Sequence, residues 1–224
     1  MSYRYLTIER KARAEQIIEK SKFIATVCPV ETRDEAEAFF TEIRSEFKDA
    51  THNVPAMVIG EKMQIQWASD DGEPQGTSGA PIVQMLVNKG ITNVAVMITR
   101  YFGGIKLGTG GLVRAYTSSA EHGINEAGIA AALPFKSFNI KVDYGVYNKI
   151  ISYRFPEELK LNMIISRPVF MEDVEFNLSV TEDREGEIRT LLTEIAGGNI
   201  GFSEGEEILK LVPYKVAENT VVRD

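Results

Sequence analysis

The segment 99-TRYFGGIKLGTGGLVRAY-116 places five glycines between Gly103 and Gly111 beside three cations, Arg100, Lys106 and Arg114. It follows 93-NVAVMITRYF-102, an apolar run that reads as a buried strand. It runs into 110–128, where Leu112, Ala115/Tyr116, Ser119 and Gly123 recur at helical spacing. A helix N-terminus presents unpaired amides carrying partial positive charge, and glycine lets a ligand approach them closely. Arg100, Gly103, Gly104, Lys106, Gly108, Thr109, Gly110, Gly111 and Arg114 therefore form a candidate cradle for phosphate or carboxylate. Two nucleotide motifs are excluded by spacing. Gly103-x4-Gly108 continues as Thr109-Gly110, not as the Lys-Ser/Thr of a P-loop. Gly108-x-Gly110 meets Val113 where a dinucleotide fingerprint needs its third glycine. A tight strand-to-helix connection in which glycine serves packing alone is the alternative.

A second constellation is 69-SDDGEPQGTSG-79. Asp70, Asp71 and Glu73 are hard-cation ligand types, but they lack the alternation and distal Glu of an EF-hand, so no metal site is expected. Thr77 and Ser78 offer amides and hydroxyls at another helix start, and the two glycine-rich helix starts can converge on one anion. The catalytic candidates are His52, Asp70 and Asp71, as proton-transfer groups or, for a hydrolase, metal ligands. No Ser-His-Asp order or Gly-x-Ser-x-Gly elbow exists, His122 lies inside a helix, and Cys28 beside Pro29 has no activating neighbour. No cofactor motif is present, so no cofactor is expected, and the missing triad and cofactor motif count against an enzyme without excluding one.

Charge is distributed unevenly. The net charge is −7, yet Pro74 to Ala120 holds no Asp or Glu and carries +4. A local cationic field inside an acidic protein suits a defined anion site rather than a general nucleic-acid glue. Tyr101, Phe102 and Tyr116 are the aromatics near that field, too few for sequence-specific reading of RNA, and no sequence-specific DNA binding is expected. Residues 135–224 carry 11 cations against 16 anions and suit a protein partner better than RNA. A single cysteine points to a reducing compartment, the cytoplasm. The first residues show no apolar signal segment and no run approaches a membrane span, so no membrane association is expected.

The elements that must position these residues can be read in part. Strands are expected at 3–11 and 22–30, pairing across a polar 12–21, followed by a helix over 33–47 capped by Thr32. Strands at 55–60 and 63–69 follow, then a loop and a helix over 81–89 capped by Thr77 or Ser78. The segment 129–136, punctuated by Pro134, reads as a linker between domains 1–134 and 135–224. Beyond it come a strand at 138–144, a helix at 145–157, strands at 159–170 and 173–181, a helix at 182–196 and a strand at 199–213. That β-α-β-β-α-β order is the split pattern of a ferredoxin-like sandwich, so the chain is α+β with two domains. The tail 214–224 is expected to be loosely held.

The motifs 21-SKFIA-25, 52-HN-53, 70-DDGEPQGTSGAPI-82 and 99-TRYFGGIKLGTGGLVRAY-116 resemble those of the IMPACT family, in its bacterial two-domain form. Val54 stands where that family usually has Cys, while Ala56 matches. The resemblance implies a first domain like domain 2 of ribosomal protein S5 and a ferredoxin-like second domain like those of elongation factor G. It further implies a non-enzymatic role in translation, with the ribosome or RNA as partner. A phosphorylated small molecule held by the same loop is the alternative.

Overall fold

The computed structural model describes residues 3–160 and 162–214. The chain divides within one long strand: Arg4–Ala132 belongs to one compact unit, Leu133–Lys210 to the other, and residues 211–214 return to the first.

In the first unit, β1 (Tyr5–Ile8), β2 (Ala12–Ile18) and β3 (Ser21–Pro29) precede α1 (Arg33–Glu46). Next come β4 (His52–Ile59), β5 (Ile65–Ala68), α2 (Gly79–Asn88), β6 (Val94–Tyr101), α3 (Gly108–Ala127) and β7 (Ile129–Val142). Five of these strands form an antiparallel sheet ordered β2-β3-β6-β4-β5. Both faces are covered. Phe39, Phe40 and Ile43 of α1 pack on Met57, Ala95 and Met97. On the other face α3 lies over β2 and β3, with α2 beside it over β4. The approach is close because Gly123 has no side chain: a Cβ there would meet Ala25 Cβ and Val27 Cγ1 at 3.0 Å. Successive strand residues face opposite sides, so Val96, Ile98 and Arg100 share the α3 face while Ala95, Met97 and Thr99 share the α1 face.

Three expectations for this unit are corrected. The stretch 12–21 is not a connection: β2 alternates in burial and pairs with β3 from Ala12↔Val27 to Ile18↔Ser21. The hairpin turn is Glu19-Lys20, both with positive φ (45° and 64°), the conformation of a tight two-residue turn made here without glycine or asparagine. β1 does not pair with β3; its partner is β7, from Tyr5↔Ala132 to Ile8↔Ile129. β4 begins at His52, ahead of Pro55. Proline is accommodated because the Pro55 carbonyl accepts from Ser69 N just past the end of β5, so its bare nitrogen faces that side and not the β6 ladder.

The supposed linker 129–136 is also strand. β7 runs through it, pairing with β1 up to Ala132 and with β10 from Phe135, and Pro134 falls between the two registers. The second unit continues with α4 (Tyr144–Ser152), α5 (Glu157–Lys160), β8 (Met163–Ile165), β9 (Val169–Phe170), β10 (Val174–Thr181), α6 (Glu185–Ile195) and β11 (Ser203–Pro213). Asp143 caps α4 by accepting from Val146 N at 2.8 Å. β7 is flanked by β11 and β10, and β10 by β8 and β9. Ile150 of α4 and Ile188 and Leu192 of α6 share one core with Ile140, Leu178 and Val180. The expected long strand over 159–170 is instead a helical turn and two short strands, with Pro168, which has no N–H to give a ladder, lying between them. The tail expectation beyond Tyr214 lies outside the described residues. Among the described residues, no helix is long and apolar enough to cross a membrane.

Candidate functional site

The two glycine-rich helix starts lie in the first unit, at the ends of α2 and α3. The loop before α2 is wound around Asp70. Its Oδ1 accepts from Ser78 N (3.1 Å), Gly79 N (2.9 Å) and Ser78 Oγ (2.6 Å), and Oδ2 accepts from Gly76 N (2.7 Å). Burial alone would raise the Asp70 carboxyl; those hydrogen bonds outweigh it and hold the group below the ordinary carboxylate value. Ser78 occupies the cap position but its hydroxyl donates to Asp70, and Thr77 Oγ1 donates to the Pro74 carbonyl at 2.6 Å. The chain's own carboxylate therefore occupies this amide nest. Asp71, at φ 47°, accepts from Asn53 N through Oδ2 at 2.6 Å, and its carbonyl accepts from His52 Nδ1 at 2.8 Å.

That last contact fixes a tautomer. A carbonyl oxygen only accepts, so Nδ1 carries the proton and the Nε2 of a neutral ring is left as an acceptor. Nε2 stands 3.8 Å from Glu73 Oε1, beyond hydrogen-bond reach. Glu73, a hard-cation ligand type by its sequence, serves here as the partner of a buried arginine. It enters from the same loop with a side chain 4% exposed, and its Oε1 accepts from Arg100 Nη1 at 2.5 Å and from Tyr116 Oη at 2.7 Å. Arg100 comes from the end of β6, paired across the sheet with Phe23 on one side and His52 on the other. Its Nη2 donates to Ser21 Oγ at 3.2 Å, and its guanidinium lies 5.2 Å from the Phe23 ring centroid and 5.4 Å from that of Phe102. Its Nε has no hydrogen-bond partner among the described residues. Burial, and then the Glu73 carboxylate, keep the Tyr116 hydroxyl protonated far above its ordinary range.

Beyond Arg100 the backbone turns into the glycine segment. Gly103 N donates to Ser21 Oγ at 3.2 Å, and a Cβ on Gly103 would overlap the Lys20 carbonyl, so only glycine fits beneath the β2–β3 hairpin. Gly104 and Gly108 hold positive φ, 85° and 72°. α3 then starts at Gly108 with no side-chain cap and no acid in its first turn. Lys106, Thr109, Gly110 and Arg114 are exposed there.

A cavity of about 410 Å³ is lined by Thr51, His52, Glu73, Pro74 and Arg100 together with Phe102, Lys106, Leu107, Gly108, Thr109 and Leu112. A second hollow of about 460 Å³ on the other side of Leu107 includes Glu19, Lys106, Gly111, Arg114 and Ser118. The structure thus brings His52, Arg100, Lys106, Gly108 and Thr109 together and sets Arg114 with Gly111 next door. It keeps Asp70, Thr77 and Ser78 in their own closed network. Of the three aromatics, Phe102 alone is open, at 46%; Tyr116 is buried and Tyr101 Oη donates to Asp49 Oδ1 at 3.0 Å.

A family model described as the Impact N-terminal domain matches residues 19–124, which carry the whole site. The chain is 37% identical over 207 residues to the IMPACT family member YvyE of Bacillus subtilis (strain 168), covering 92% of this chain and 93% of that protein. It is 30% identical over 201 residues to an IMPACT family member of Haemophilus influenzae, covering 88% and 94%. A crystal structure described as that of a hypothetical protein matches with a TM-score of 0.55 at 24% identity, across 95% of this chain and 98% of that one, and so shares the fold. With relatives this similar over almost the full length, the chain belongs to the IMPACT family.

Proposed function

We propose that this protein is a non-enzymatic regulator of translation that binds RNA phosphate, on the ribosome or free, through the start of α3. The observation that carries the reading is the first turn of α3, which has no side-chain cap and no acid and is flanked in sequence by the exposed cations Lys106 and Arg114. The association with translation rests on the family. Arg100 supplies no free charge, because Glu73 neutralises it inside the fold; its role is to shape the site. In keeping with the family resemblance, we assign the first unit to the S5 domain 2-like class and the second to the ferredoxin-like class. The strand order β11-β7-β10-β8, with two helices sharing its core, supports the second assignment. We place the domain boundary at Pro134, and the protein in the cytoplasm where translation runs. The acidic second domain repels RNA and is left for a protein partner.

The test is charge reversal. Lys106→Glu with Arg114→Glu weakens co-sedimentation with ribosomes and binding to RNA, and lowers the slope of log affinity against log salt by about one per lost phosphate contact. Wild-type binding that is absent, or independent of salt, refutes the reading. The 410 Å³ cavity favours a second reading, a phosphorylated small molecule bound at the same turn. A thermal-shift screen of phosphorylated metabolites checks it, since a specific ligand stabilises the fold by mass action.

A further inference from the structure

Phosphate binding at the start of α3 uses one wall of the adjacent cavity and leaves the others unexplained. Another part of the lining is Phe102, 46% exposed and backed by the Arg100 guanidinium. The Phe102 backbone is held by its amide, which donates to Thr51 Oγ1 at 3.0 Å. The floor holds buried polar groups with capacity to spare. Glu73 Oε1 takes both hydrogen bonds of that side chain, and Oε2 takes none among the described residues. His52 Nε2, an acceptor in the tautomer its Nδ1 contact requires, points the same way.

A ligand that matches every wall has an anionic group for Lys106 and the amides of Gly108 and Thr109, a flat apolar face for Phe102, and hydroxyl or amino donors for Glu73 Oε2 and His52 Nε2. An RNA nucleotide has all three. The cavity, at about 410 Å³, lies within the range of roughly 300–1,000 Å³ typical of small-ligand sites. In an A-form duplex the bases are stacked and paired, so neither a base face nor its donors can enter such a recess; in a single strand they can be splayed out onto an aromatic ring. We propose that this cavity takes one unpaired nucleotide of RNA, its phosphate on Lys106 and the first turn of α3, its base on Phe102. The proposal rests on the RNA reading above and narrows it to single-stranded RNA.

The experiment uses the full chain and fluorescence anisotropy, with a labelled twelve-nucleotide single strand, a duplex of the same length, and adenosine monophosphate and inorganic phosphate as competitors. The single strand is expected to bind at least about ten-fold tighter than the duplex. Phe102→Ala is expected to weaken the single strand about five- to hundred-fold, the range for loss of one base–aromatic stack, and to leave duplex binding, the salt slope and the unfolding midpoint unchanged. Lys106→Glu weakens both RNAs. Equal affinity for strand and duplex, or a neutral Phe102→Ala, overturns the nucleotide pocket while the RNA reading stands. Binding of neither RNA overturns both. Adenosine monophosphate that binds more tightly than the strand, per nucleotide, makes a free nucleotide the ligand and also overturns the proposal; inorganic phosphate that competes equally well removes any role for the base.

Discussion

The starts of α2 and α3 share a plan and differ in charge. Each follows a sheet strand, and each is rich in glycine. At α2 the anion is built in: the Asp70 carboxylate meets Gly76, Ser78 and Gly79. At α3 no acidic side chain serves, and the nearby free charges include Lys106 and Arg114. One nest is thereby a structural joint closed by its own carboxylate, and the other is an uncapped helix start beside exposed cations. Glu73 ties the two together. It leaves the α2 loop and inserts between Arg100 and Tyr116, a residue of α3, so that the closed nest holds the wall of the open one. The difference teaches that glycine-rich helix starts are not interchangeable sites; what fills them decides.

The largest expected effect is at that tie. Glu73→Ala leaves the Arg100 guanidinium buried without its counter-charge. Breaking one side of a buried pair costs about 3–5 kcal/mol, so chemical unfolding of this variant is expected to show a loss of that size. Tyr116→Phe, which removes one hydrogen bond to the same oxygen, is expected to cost about 1 kcal/mol. If Glu73→Ala unfolds at the same denaturant concentration as the wild type, the two nests are independent.

The next effect isolates the closed nest. Asp70→Ala strips the cap from three amides and is expected to cost about 2 kcal/mol near neutral pH. Because the folded carboxyl sits below its ordinary value, its contribution is present above the unfolded value of about 4 and fades as pH falls through the lower folded value. The gap between wild type and Asp70→Ala in urea titrations should therefore narrow below about pH 4. A gap constant down to pH 2 means that the charge of Asp70 does not hold the loop.

These relations were only partly legible in the sequence. α1 could be read because Thr32 caps it and Phe39, Phe40 and Ile43 recur on one face; the structure shows Glu35 N donating to Thr32 Oγ1. β6 and α3 could be read because an apolar run and small residues at helical spacing are local signals. β2 was hidden by its turn, since Glu19-Lys20 carries none of the usual hairpin residues. The start of β4 and the middle of β7 were hidden by Pro55 and Pro134, each lodged where no ladder hydrogen bond is lost on the paired side. At the site, the α3 residues were found from glycine and charge, but the role of Glu73 was not. Its partner Arg100 is 27 positions away, and only the folding of the loop back onto β6 brings them together. The cap of α2 was misread for a related reason. Ser78 is adjacent in sequence and of the right type, yet Asp70, eight positions upstream, carries the charge that the amides favour.

The smallest expected effect separates the nests by sign. Gly79, first in α2, has Ser69 O and Ala68 Cβ at 2.7 and 2.9 Å from where a Cβ would stand, so Gly79→Ala is expected to lower stability. Gly110, in the first turn of α3, would meet only Arg114 Nη1, at 3.7 Å. Alanine is the better helix former there, so Gly110→Ala is expected to raise stability by about 0.5–1 kcal/mol. The same methyl group stands over the amides that phosphate would approach, so RNA binding is expected to weaken as stability rises. Opposite signs in one variant would show that the sequence forgoes helix stability at Gly110 to keep a surface open. A stabilised Gly110→Ala that binds RNA as well as the wild type would instead leave this glycine without a role in ligand approach, and would confine phosphate recognition to Lys106 and Arg114.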